Sequence, residues 1–126
     1  MGRGSASRPE GHGTKEIVIV DDQDVTGLEG TVVDYPVDLG EYIEGNIILD
    51  VSGTFAGTSP TIDADIEMME SGGGLKVNHT SFTQVTADAR EHKAITNFGK
   101  HCNIEVTYGA GAITAGVLRI VAIMKS

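Results

Sequence analysis

The clearest pattern in the chain lies between Ile47 and Glu67. Ile47, Leu49, Val51 and Phe55 fall on one side of an extended segment, with Asn46, Asp50, Ser52 and Thr54 mostly on the other. After Ala56-Gly57-Thr58-Ser59-Pro60, the residues Ile62, Ala64, Ile66 and Met68 alternate with Asp63, Asp65 and Glu67. Successive side chains on a strand point to opposite faces, so this period of two predicts half-buried strands. The turn residues between them predict an antiparallel hairpin from about Tyr42 to Met69.

The same reading extends along the chain. Ile17 to Val20 is a short apolar strand stopped by Asp21-Asp22-Gln23-Asp24 and by Gly27 and Gly30. Thr31 to Val37 is a strand whose Pro36 belongs at a sheet edge or a bend. Weaker strands are expected near Leu75 to Val77, Phe82 to Val85 and Ala94 to Phe98, and Thr86 to Lys93 supports at most one helical turn. Cys102, Ile104, Val106 and Tyr108 alternate with Asn103, Glu105 and Thr107, giving another half-buried strand. The last strand, Val117 to Met124, is apolar on both faces: Leu118, Ile120, Ala122 and Met124 on one, Val117, Val121 and Ile123 on the other. Eight or nine short strands with turn signals between them predict an all-β fold, a jelly-roll-like antiparallel β-sandwich over residues 15–126. A sandwich strand turns one face outward, so Val117, Val121 and Ile123 are expected at an interface with another subunit or under the N-terminal arm.

That arm is residues 1–14. It is rich in Gly and Ser, has no large apolar residue after Met1, and is expected to be extended. Arg3 and Arg8 make it locally basic, which suits docking onto an acidic neighbour. The 126-residue chain as a whole carries a formal charge of −9, which argues against nucleic acid as a partner. The single cysteine, Cys102, excludes an internal disulfide. No apolar run reaches membrane-spanning length and no signal-peptide core is legible, so no membrane partner is expected and synthesis is assigned to the cytoplasm. With 17 glycines, no tryptophan and three each of Phe and Tyr, the core must rest on aliphatic side chains.

Chemical motifs are sparse. Asp63, Asp65 and Glu67 set carboxylates roughly 7 Å apart on one strand face, a row that suits a divalent cation if loops add oxygens and otherwise is a solvated outer face. Asp22, Asp24, Thr26 and Gly27 imitate the start of a calcium loop, yet the twelfth position is Val33 and the flanks read as strands. Gly109, Gly111 and Gly116 lack the spacing and the following helix of a dinucleotide loop. His12, His79, His92 and His101 show no ligand spacing. His101 and Cys102 point to opposite faces, and Cys102 runs in phase with Ile104 and Val106 as a small buried thiol. Asn78-His79-Thr80 fits a glycosylation sequon that has meaning only on a secretory route. No G-x-S-x-G is present. The expectation is no catalytic residue, no metal site and no cofactor.

The run Asp50 to Glu67, with its Gly57-Thr58-Ser59-Pro60-Thr61 turn, resembles a pattern of small bacteriophage virion structural proteins. Phe82-Thr83-Gln84-Val85-Thr86-Ala87 and Ile104-Glu105-Val106-Thr107-Tyr108-Gly109 follow in the same order, while Ser71-Gly72-Gly73-Gly74 departs from the polar turn and tryptophan of that group. The resemblance is greatest to capsid decoration, or cement, proteins. It implies a non-enzymatic subunit on the capsid exterior whose partners are the major capsid protein and copies of itself, in a homo-oligomer for which a trimer is one arrangement. Another phage component, a head fibre base or tail protein, fits the same phrases, and a glycan-binding β-sandwich module is the alternative from a different class.

Overall fold

A computed structural model describes residues 14–40, 42, 44–70, 74–96 and 101–125. Among these the chain forms eight strands: β1 (Thr14–Asp24), β2 (Val32–Asp38), β3 (Glu44–Gly57), β4 (Ile62–Met69), β5 (Lys76–Ser81), β6 (Ala89–Thr96), β7 (His101–Tyr108) and β8 (Ile113–Lys125). They make two four-stranded antiparallel sheets, β1-β8-β3-β6 and β2-β7-β4-β5. β4–β5, β3–β6, β2–β7 and β1–β8 pair as nested antiparallel couples, so a long double strand is folded over into two layers. This is the jelly-roll order, as expected. No helix among the described residues is long and apolar enough to cross a membrane.

The alternation from Ile47 to Met68 does mark two strands, but they are not a hairpin. β3 pairs with β6 and β8, whereas β4 pairs with β5 and β7, so the chain crosses from one sheet to the other at residues 58–61. Thr58 N–H donates to the Ala112 carbonyl at 2.8 Å, and the Thr61 carbonyl accepts from Gly109 N–H at 3.0 Å, so the crossing is fastened to the β7–β8 connection instead of closing on itself. Gly57 (φ 156°) sits where a Cβ would collide with the Ala112 carbonyl. Just before it, Gly53 and Thr54 take positive φ at an irregularity of the β3–β8 pairing. Asp88 secures this bend by accepting from Phe55 N–H at 2.7 Å and Thr54 N–H at 3.2 Å.

Three other expectations shift. β1 continues through the acidic run to Asp24, with irregular pairing between Val18 and Gln23. Phe82 to Val85 is not a strand but a connection whose Phe82 and Val85 are buried, Val85 bridging to Ile62. Residues 89–96, read as a turn followed by a weak strand, are the edge strand β6, whose outward and charged residues hide its periodicity. Pro36 lies on edge strand β2, where its missing N–H costs no central hydrogen bond.

The core is made of rungs across the facing sheets. Val51–Leu118, Val20–Ile120–Leu49 and Ile17–Ala122–Ile47 line one sheet, and Val33–Val106–Ala64, Tyr35–Ile104–Ile66 and Val37–Cys102–Met68 the other. Ile47, Ile62, Ile66, Ile104, Leu118 and Ile120 are fully buried, each stabilising the fold by about 1.5–3 kcal/mol.

Candidate functional site

With the core between the sheets, the remaining side chains form two outward faces of different chemistry. On the β2-β7-β4-β5 face, one rung sets Asp34, Glu105 and Asp65 directly opposite one another. The next brings Pro36, Asn103, Glu67 and Asn78 into line. Asn103 is the one buried polar residue of the described chain, 1% exposed. Its Nδ2 donates to Asp34 Oδ1 at 2.9 Å and to Glu67 Oε1 at 2.8 Å, tying β2, β7 and β4 together. Lys76 Nζ reaches Asp34 Oδ2 at 3.2 Å.

Carboxylate oxygens of Asp34, Glu67 and Glu105 come within 4.8 Å of one another. The Asn103 and Lys76 hydrogen bonds hold Asp34 below the usual carboxylate range. Partial burial, followed by the charges of Glu67, Asp34 and Asp65, raises Glu105. The row expected on β4 therefore divides: Asp63 accepts from Gln84 Nε2 at 3.0 Å, Asp65 faces Glu105, and only Glu67 joins the cluster. Asp34 and Glu105 escaped the sequence reading because cross-strand neighbours are distant in sequence. The signal available was the polar phase of β7, where Asn103 and Glu105 sit between core residues. Asn103 and Lys76 already satisfy most of this cluster, so it works as an internally braced acidic surface.

The outer face of β1-β8-β3-β6 is different. Val18, Val121, Ile48 and His92 form one rung across all four strands. Val18 is 43% exposed, Ile123 is 36% exposed and Val117 is half-buried, while Val121 is only 9% exposed among its neighbours. Beside this apolar centre lies the rung Arg119–Asp50–Arg90. Arg119 Nη1 contacts Asp21 Oδ1 at 2.7 Å and Asp22 Oδ1 at 3.6 Å, and Arg90 Nε contacts Asp50 Oδ1 at 3.3 Å. At the end of the strands Lys125 Nζ lies 3.9 Å from Glu44 Oε1. An open depression of about 480 Å³ is lined by Asn46, Ile48, Arg90, Glu91, His92 and Ile123.

Val117, Val121 and Ile123 thus lie together on one outward face, joined by Val18 and Ile48 from neighbouring strands. Sequence reading missed Ile48 because it interrupts the alternation Ile47, Leu49, Val51 as an apolar residue in the polar phase. Arg3, Arg8 and His12 lie outside the described residues. Cys102 is buried as expected, and burial, with the charge of Glu67, pushes its thiol up to about 11. It is a packing residue, since the protonated thiol is a poor nucleophile. The hydroxyl of Tyr108, also buried, has the Tyr35 hydroxyl beside it but makes no well-formed hydrogen bond among the described residues.

No known protein family matches this chain, and no curated protein matches it in sequence.

Proposed function

We propose that this chain is a non-enzymatic virion structural protein, a capsid decoration subunit that attaches to the outside of a shell and braces it. The observation that carries the reading is the apolar centre Val18, Ile48, Val121 and Ile123 on an outward sheet face, which a solitary copy leaves partly in water. A residue on the solvent side of a strand needs only to be polar, so an apolar rung there favours a covering partner. The phage-like phrases between Asp50 and Gly109 add the kind of assembly. Many copies on a symmetric shell would turn modest contacts into strong attachment. In this reading Arg3 and Arg8 of the N-terminal segment engage acidic groups of the major capsid protein.

The test is occupancy of purified particles, by mass spectrometry, with the full chain and with residues 1–13 deleted. The expected result is stoichiometric full-length protein and at least tenfold lower occupancy of the truncated form, about 1.4 kcal/mol of binding. Absence of the full-length protein from intact particles would end the proposal.

A further inference from the structure

We propose that a second copy of this chain covers the outer face of the β1-β8-β3-β6 sheet, related by a two-fold axis that runs parallel to the strands between β8 and β3. This deepens the structural-subunit reading by naming the companion, and in that sense rests on it.

Edge-to-edge association is blocked at all four edges. β2 carries Pro36 in its middle, and β1 is interrupted at two points of its pairing. On β6, Glu91 and Lys93 lie in the inward phase with Leu49 and Ile47, and Glu91 is held by Thr83 N–H at 2.8 Å. β5 is six residues long, carries Lys76, and has His79 as an extra residue between its pairings to Ile66 and Glu67. These are the devices that keep sheet edges from pairing with other chains. Association must then use a face.

The rungs select which face and which symmetry. The stated axis exchanges β8 with β3 and β1 with β6 at equal height. Val121 then lies on Ile48 of the second copy, and Val18 on His92. Arg119 lies on Asp50, Asp21 and Asp22 lie beside Arg90, and Lys125 lies on Glu44. The charged rungs of Arg119 and Lys125 meet their complements around an apolar centre that meets itself, while Glu16, on the rung of Ile123 and Asn46, lies on Ala94. The equivalent axis on the other sheet, between β7 and β4, would set Glu105 on Asp65 with Asp34 close by, which repels. Residues 1–13 make a poor cover, having no large apolar side chain after Met1. Aligned stacking of two sheets about 10 Å apart is a standard packing mode.

Four strands about 4.8 Å apart and eight residue steps at about 3.4 Å give a face of roughly 500 Å² per copy. The pair would bury roughly 1,000 Å² in total, at the low end for specific association, so a reversible dimer in the micromolar range is expected. An isologous patch is used up by one partner, so this face gives dimers and not the trimer allowed at the outset.

Sedimentation velocity over a concentration series tests the proposal, with thermal melts confirming that each variant is folded. The full chain should dimerise, and Val121→Lys should abolish dimerisation. Arg119→Asp alone and Asp50→Arg alone should each weaken it at least about tenfold, since each sets like charges together on both sides of the axis. Mixing those two variants should restore association, because every contact in the mixed pair is again opposite in sign. A monomer at a concentration on the order of 1 mM, a trimer, or folded single variants whose mixture stays monomeric would overturn the proposal. A dimer that never occupies particles sinks the decoration reading alone, and a monomer that does occupy them sinks only this one.

Discussion

Across one outward face a rung reads Asp34, Glu105, Asp65, and across the other it reads Val18, Val121, Ile48. Both rungs sit on strands whose opposite phase is buried aliphatic core, so the fold makes the same demand of each. The difference is therefore not dictated by folding. The acidic face holds several of the negative charges that give the chain its −9, repels another copy of itself, and keeps its groups in order with Asn103 and Lys76. The apolar face leaves Val18 and Ile123 partly bare and sets both signs of charge beside them. One face is suited to water and the other to a companion.

The largest expected effect comes from Asn103, whose amide neutralises nothing yet gives a hydrogen bond to each of two carboxylates. Asn103→Asp would replace a buried donor with a third negative group between Asp34 and Glu67, taking the amide hydrogen bond from each and leaving Asp34 only that of Lys76. A loss of about 3 kcal/mol at neutral pH is expected, from the unsatisfied buried group and the repulsion. Urea unfolding would measure it, and dimerisation of the remaining folded protein should be unchanged, because the other face is untouched. A loss near zero would mean that the acidic face does not depend on Asn103.

Smaller effects of opposite sign are expected at Glu105 and Asp34. The fold raises Glu105 above its ordinary 4.5, so its protonated form is favoured: that contribution is complete below 4.5 and is lost as pH rises through the folded value. Glu105→Gln should therefore stabilise the protein at neutral pH, by about 0.5 kcal/mol from relief of like charges directly opposite, and the gain should vanish in acid. Asp34 is lowered from 3.8, so its contribution is present above 3.8 and is lost as pH falls through the folded value. Asp34→Asn should destabilise at neutral pH by a few tenths of a kcal/mol, its exposure limiting the loss. Melting temperatures from pH 3 to pH 8 would separate the two, and two variants of the same sign would contradict this account of the face.

Much of the architecture was legible because it is local. Alternation marked β3, β4 and β7, a run apolar on both faces marked β8, and Pro36 marked an edge, since each follows from where one residue's side chain or N–H must go. What stayed hidden was which strand pairs with which. A Gly-Thr-Ser-Pro break between two alternating runs suits a hairpin and an inter-sheet crossing equally, and the bonds that decide between them come from Gly109 and Ala112, about fifty residues further on. Only the end of β6, from Ala94, was legible as a weak strand, because its outward His92 and Ala94 and its inward Glu91 and Lys93 leave only Ile95 as a fully buried apolar signal. The faces show the same limit. Val117, Val121 and Ile123 could be placed on one side of β8, but Val18 and Ile48 join them only through register, as Asp34 and Glu105 join Glu67. Each face is a property of strand order, which no single strand encodes.

Salt should produce the smallest change and distinguish the faces most directly. Raising sodium chloride from 0.1 M to 1 M shortens the screening length from about 10 Å to about 3 Å. On the acidic face this weakens the repulsion among Asp34, Asp65, Glu67 and Glu105, so the melting temperature should rise by about one degree, and by less in Glu105→Gln, where part of the repulsion is already gone. On the apolar face the centre is indifferent to screening while the charged rungs that fix its register are not. High salt should therefore leave the full chain dimeric and partly restore association of Arg119→Asp alone, whose defect is repulsion from Asp50 of the second copy. Chloride is the appropriate anion, because sulfate would strengthen apolar burial and obscure the difference. If 1 M sodium chloride dissolved the dimer outright, charge and not the Val121–Ile48 contact would be holding the two copies together, and the contrast between the faces would be one of sign alone.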